Sequence, residues 1–401
     1  MNVALLAVVP LVLAGCGSSD GSAPSTPGVT SNQIVIGSDM ALTGPGSATG
    51  QGFKLGLELA ASEINAHGGI NGRKVKLVIE DDAGTAQGGV EAARRLVQQD
   101  GVFADFAGAG STSAVSEAPF FTSSKVPLYA TLASDPRIFQ PFSRYVFTGV
   151  PQRRDLSQEV VKYAQSIGAA TLDILYASDQ AFCQSGVQLV QGDAAASGTH
   201  IVGLQSFHSG DTDFTAQISS VARLNPSAVY LCGLDVDGGR IVPQLRRVVA
   251  DTTIIADASM ATAALLKTAG PAGEGVRCFW LSSSQPVTAQ TGAMGDWNKR
   301  LDKFAPNRPA GTPNIFTVSG YVDFYVFAEA LRHAGSSVTR DNFVDALEGV
   351  HNFVPGRDSY FSYAAPIGVP RNFSKENHQG THAAVPIEIK NGEFVTIEPG
   401  S

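Results

Sequence analysis

Long apolar runs are scarce in this chain of 401 residues: only 3–13, beside the N-terminus, is continuously apolar. That run is shorter than the roughly 18 residues a bilayer-spanning helix requires, and no later one approaches that length, so the body is expected to be soluble. Charge is thin as well. Only 16% of residues are charged, with 28 Lys and Arg against 36 Asp and Glu, a net charge of -8 and a pI near 5.4. With no concentration of Lys and Arg, the chain is not expected to bind a nucleic-acid backbone or an anionic membrane surface. Cysteines number four, and their spacings match no zinc pattern, so no metal is expected. A Gly-x-Ser-x-Gly elbow is lacking, and no serine has a histidine placed by an obvious partner. Gly44-Pro45-Gly46 with Gly50 lacks the gap and the acidic follower of a dinucleotide loop. No cofactor is implied, and the chain is not expected to be an enzyme.

What is present begins at the N-terminus. The apolar run ends in Leu13-Ala14-Gly15-Cys16, small residues before a cysteine that read as a lipobox, with residues 1–16 as a lipoprotein signal peptide and Cys16 as the lipidated residue. The usual Lys or Arg ahead of such a run is missing, since only Met1-Asn2 precede it. Residues 17–31, rich in Gly, Ser, Pro and Thr, have no apolar period and read as a flexible tether. The location this implies lies outside the cytoplasm, lipid-anchored to the cell membrane, or to an outer membrane if there is one. Acyl chains would be the only contact with the membrane.

From Asn32 onward, short β-branched runs alternate with helical patterns, the signature of a parallel sheet with helices on both faces. Residues 34–36, 74–80, 102–107 and 126–129 read as strands and 50–67 and 87–99 as helices. The pattern restarts with a helix at 152–166, strands at 171–176, 201–207 and 228–231, and helices up to 197 and over 214–224; 253–256 and 276–281 continue it. A long amphipathic helix follows at 319–334. Near the end, Asn391-Gly392 sits between two short strands as a hairpin signal. A chain of this length exceeds one comfortable core, so two doubly wound lobes are expected. Three cysteines remain for an oxidising compartment, one pair and one free thiol. Cys183 follows a second-lobe strand and Cys232 ends the strand that should lie beside it, so these two are the disulfide candidates and Cys278 is left free.

Several motifs together carry a resemblance. Ala41-Leu42-Thr43-Gly44-Pro45, the stretch Glu63-Ile64-Asn65-Ala66-His67-Gly68-Gly69-Ile70-Asn71-Gly72-Arg73-Lys74, Glu80-Asp81-Asp82, Gly210-Asp211-Thr212-Asp213-Phe214 and Asn377-His378-Gln379-Gly380 fall in one order and spacing. With them the chain from Asn32 onward closely resembles the leucine/isoleucine/valine-binding protein family of ABC-transporter receptors. The resemblance implies an α/β type I periplasmic-binding fold. Its first lobe comprises 32–150 plus 283–352 and its second 151–282 plus 353–401, with crossings near Val150, Ser282 and Asn352 and a ligand cleft between.

Each landmark also has a scaffold reading. Gly68 to Gly72 closes a helix and turns the chain, Asp211 or Thr212 caps the helix near Phe214, and His378 and His382 lie in a loop rather than on a metal-binding helix face. By resemblance, Ser111 and Thr112, with Ala133 and Ser134, occupy the α-carboxylate-binding positions; the same hydroxyls could instead cap helices. Thr43 lies in the first motif, Thr49 stands where an aromatic is common, and Phe182 keeps the aromatic over the pocket. The acid that holds a ligand ammonium aligns near Ala258, leaving Asp257 or Asp235 as replacement. The implied function is a solute-binding lipoprotein delivering an amino acid or related small polar molecule, such as an amide, a urea-like compound or a small carboxylate, to ABC permease and ATPase subunits. The rivals are a sensor that signals to a receptor and, from another class, a hydrolase.

Overall fold

The computed structural model describes residues 26–280, 287, 289–309, 311–357 and 359–397. Cys16, the apolar run before it and residues 17–25 of the expected tether lie outside that set. Residues 26–31 are bound to the body: Thr26 Oγ1 donates to the Val338 carbonyl (3.1 Å), and Val29 bridges to Ile34. Residues 26–31 therefore belong to the folded body rather than to the tether.

In chain order the first lobe opens with β1 (Gln33–Met40), α1 (Ser47–Ala66), β2 (Lys74–Asp81), α2 (Ala86–Arg94), β3 (Ala104–Ala107), α3 (Ser111–Ser124), β4 (Leu128–Ala130) and β5 (Val146–Phe147). The second follows as α4 (Arg153–Ser166), β6 (Thr171–Ala177), α5 (Ala181–Ser197), β7 (His200–Phe207), α6 (Thr215–Leu224), β8 (Ala228–Cys232), α7 (Asp235–Val248), β9 (Thr253–Ala256), α8 (Ala263–Ala269) and β10 (Arg277–Trp280). Helices α9 (Gly292–Phe304), α10 (Ile315–His333) and α11 (Arg340–Glu348) come next, and β11 (Val385–Lys390) with β12 (Glu393–Thr396) closes the chain.

Two sheets result, in the orders β2-β1-β3-β4-β5 and β12-β11-β10-β9-β8-β6-β7. The first is parallel throughout; in the second only β11 runs against its neighbours, β10 and β12. The alternating β2 is an edge strand, as its polar Lys74 and Lys76 require. Helix α10 returns to the first lobe and is buried on nearly every side. It can approach α1 because two glycines meet there. A Cβ on Gly56 would stand 1.9 Å from the Thr317 carbonyl oxygen, and one on Gly320 would stand 2.4 Å from that of Phe53.

The last crossing falls later than Asn352. Arg371 Nε donates to Asp323 Oδ1 of α10 at 2.7 Å, both side chains being fully buried, and Phe373 packs on Tyr129 and Phe147 of the first sheet. The Thr148 amide then donates to the His378 carbonyl, and the Gly380 amide to that of Thr148. Residues 353–380 therefore belong with the first lobe, and the chain crosses at 381–384. Ser282, the expected middle crossing, lies outside the described residues.

Between the first sheet and α3 lies a cluster with no cation beside it. Asp39, Asp105 and Glu117 are fully buried, with carboxylate oxygens within 4.8 Å of one another, and among the described residues no side chain outside the three bonds to them. Burial raises all three pKa values, those of Asp105 and Glu117 far above the carboxylate range, and pushes neighbouring Asp82 up to about 7.

Candidate ligand-binding site

Parallel strands deliver their carboxyl ends, and the amino ends of the helices that follow, to one side of each sheet. Here those sides face each other across a cavity of about 170 Å³, below the roughly 300–1,000 Å³ usual for larger ligands. The first lobe contributes Thr49, Gly110, Ser111, Thr112, Leu132 and Ser134; the second contributes Asp179, Gln180, Phe182, Leu234 and Ser259, while Arg153 enters from the crossing and Phe316 from α10.

Three hydroxyls on the first-lobe wall, those of Ser111, Thr112 and Ser134, accept bonds from the protein. Ser111 Oγ receives the Ser134 and Asp135 amides at 3.0 and 3.2 Å. Ser134 Oγ receives Arg153 Nε at 2.9 Å. Thr112 Oγ1 receives the Ala181 amide across the cleft at 3.2 Å, which ties α3 to α5. None of them caps α3, which starts at Gly110 with no side-chain cap, whereas Thr112 Oγ1 does take the first amide of α5. The first amides of α3 therefore lack an acceptor inside the helix.

Of the residues expected at the ligand, Thr49, Ser111, Thr112, Ser134 and Phe182 line the cavity, and four do not. Thr43 gives its hydroxyl to Asp81 Oδ2 at 2.7 Å. Ala133 is buried, with its carbonyl accepting from Gln152 Nε2. Asp235 accepts from Thr262 Oγ1 and the Val236 amide. Asp257, the candidate ammonium partner, is taken by Arg153: the two form an ion pair with side chains 2% and 3% exposed. Tyr230 Oη (2.8 Å), the Ser259 amide (3.0 Å) and Ser259 Oγ (2.8 Å) complete its shell. Burial alone would raise the Asp257 carboxyl, but the adjacent guanidinium and these donors hold it below its ordinary value.

Arg153 was absent from the sequence expectation, although a signal existed. It opens α4, where a cation opposes the positive end of the helix dipole, and such a placement calls for a partner elsewhere. Its guanidinium also lies 5.2 Å from the centre of the Phe182 ring.

The remaining expectations resolve locally. Cys183, in the first turn of α5, and Cys232, at the end of β8, are joined by a disulfide, and Cys278 is a buried free thiol. Asp213, not Asp211 or Thr212, accepts the Thr215 amide at the start of α6 (2.9 Å). His378 stacks on Phe147, and burial depresses its pKa to about 4, while His382 contacts Asp155, so the two histidines do not converge.

Comparison with known proteins agrees with this architecture. An amino acid binding protein of Pseudomonas aeruginosa is 28% identical over 244 residues, 59% of this chain and 63% of that protein, so the match spans under two thirds of its length. The Leu/Ile/Val-binding protein BraC3 of Rhizobium johnstonii is 25% identical over 79% of this chain and 83% of its own. Among solved structures, a leucine-binding protein LivK of Thermotoga maritima superposes with a TM-score of 0.78 at 21% identity, covering 91% of this chain and 97% of that one. A family model described as periplasmic binding protein matches residues 33–393, and the chain belongs to that family.

Proposed function

We propose that this protein is the extracytoplasmic solute-binding lipoprotein of an ABC importer, capturing an amino acid or related small polar molecule between its lobes and presenting the closed form to permease and ATPase subunits. The observation that carries the reading is the cavity itself, enclosed by strand ends of both sheets and bridged by the Thr112–Ala181 bond. A ligand that touches both walls binds the closed form better than the open one, and that difference in affinity drives closure. The relatives are named as binding proteins rather than enzymes, and no helix of the described residues is long and apolar enough to cross a membrane. Attachment would rest on Cys16, so Cys16→Ala should fold, bind and be released from the membrane fraction; unchanged retention would refute the anchor. The binding role is tested by a thermal-shift screen over amino acids, amides and small carboxylates. A ligand at a hundred times its Kd should stabilise the protein by about 2.7 kcal/mol, and Phe182→Ala should abolish the shift. No shift with any of the three classes rejects the proposal.

A further inference from the structure

The charge inventory of the cavity is short: among the described residues, Arg153 and Asp179 are the ionisable ones that line it. From it, and resting on the cleft reading above, we infer that the natural ligand is a small monocarboxylic acid with an apolar body and no α-ammonium group.

Donors dominate the first-lobe wall. The oxygens of Ser111, Thr112 and Ser134 each accept from protein N–H groups, and none of these hydroxyls donates to a partner among the described residues. Three hydroxyl hydrogens are thus left to give, beside the uncapped start of α3. Arg153 uses Nε on Ser134 and Nη1 on Asp257, and its Nη2 makes no hydrogen bond among the described residues. Hydroxyl hydrogens, free helix amides and a guanidinium all suit an anion.

Among the described residues lining the cavity, no buried carboxylate offers a cation a partner. Asp257 and Asp235 are filled as described, and Asp135 receives the Arg137 amide, Nε and Nη2. An ammonium enclosed without a counter-charge costs several kcal/mol. Asp179 alone remains, exposed at the rim, with one oxygen already taken by the Ser209 amide and hydroxyl. The apolar part of the lining includes Ala41, Pro45, Leu132, Phe182, Leu234 and Phe316, with Thr49, Thr85, Gln180 and Ser259 as uncharged polar members. A carboxylate head on the hydroxyls with a hydrocarbon tail against the apolar side chains satisfies both parts of the wall.

Matched pairs test this directly. Titration calorimetry of the whole protein with 4-methylpentanoate against L-leucine, and 3-phenylpropanoate against L-phenylalanine, isolates the ammonium. In at least one pair the acid without the amino group should bind ten times tighter or better. Equal or tighter binding of the amino acids overturns the inference while leaving the cleft reading intact, and their loss in Asp179→Asn would place the ammonium at the rim. Binding of none of the four compounds overturns the inference and counts against the cleft reading as well.

Discussion

Replacing Asp257 by Asn removes one charge and little volume, which makes the Arg153–Asp257 pair the sharpest point at which to perturb the structure. The amide keeps one acceptor oxygen, enough for Ser259 or for Tyr230 but not both, and the larger loss is the counter-charge of a guanidinium that is 3% exposed. Breaking a buried pair on one side costs about 3–5 kcal/mol because the remaining charge stays buried. For a lobe of this size that lowers Tm by roughly 6–20 °C. Scanning calorimetry at pH 7 reads the loss. The sign with pH follows from the depressed Asp257 pKa. Its contribution is complete above the unfolded value of about 3.9 and disappears as pH falls through the folded value, so wild type and Asp257→Asn should converge below pH 4. The double variant Arg153→Met, Asp257→Leu should recover most of the loss, since an apolar pair of similar volume is often neutral or better. An Asp257→Asn protein as stable as wild type at pH 7 would refute the pairing and return Asp257 to the ligand.

Thr112→Ala should raise the Kd for a bound carboxylate roughly 10–150-fold, the worth of a hydrogen bond to a charged group, with the ligand-free Tm nearly unchanged; the reverse pattern would mean a stability role only. Glu117→Gln should raise Tm at pH 8 more than at pH 4. Asp39, Asp82, Asp105 and Glu117 have raised pKa values, so their stability is complete below the unfolded values and drains away as pH rises, with Glu80 the further nearby charge; an unchanged slope of Tm against pH would contradict this. Removing the Cys183–Cys232 link as Cys183→Ala, Cys232→Ala opens a separation of 49 residues and should cost about 4 kcal/mol on loop entropy, while peptide mapping without reductant should find Cys278 unlinked.

The alternation of apolar runs revealed most of the layered scaffold, because strands buried on both faces and one-sided helices leave strong periods. Helix α7 escaped notice since Asp235, Asp237, Gly238, Gly239 and Pro243 weaken its pattern, yet Asp237 serves its start by accepting the Leu234 amide at 3.1 Å. The last crossing was misplaced for a related reason. Segment 353–380 contains little regular structure, so nothing periodic signals that Arg371 docks under α10 against Asp323.

The site divides along the same physical line. Thr49, Ser111, Thr112, Ser134 and Phe182 sit in loops directly after strands or at helix starts, and position along the chain is enough to bring such residues to the cleft. Charge partnerships are different, because they are set between residues distant in sequence. Asp257 follows β9 and Arg153 opens α4, so an acid read alone looks available for a ligand although it is bound by a base 104 residues away. The same pairing explains why a cation is tolerated at the start of α4, where the dipole disfavours it. It also leaves the cavity with a held guanidinium and unsatisfied hydroxyl hydrogens in place of a free acid, a surface whose polarity matches the carboxyl end of a ligand and offers nothing buried to its amino end.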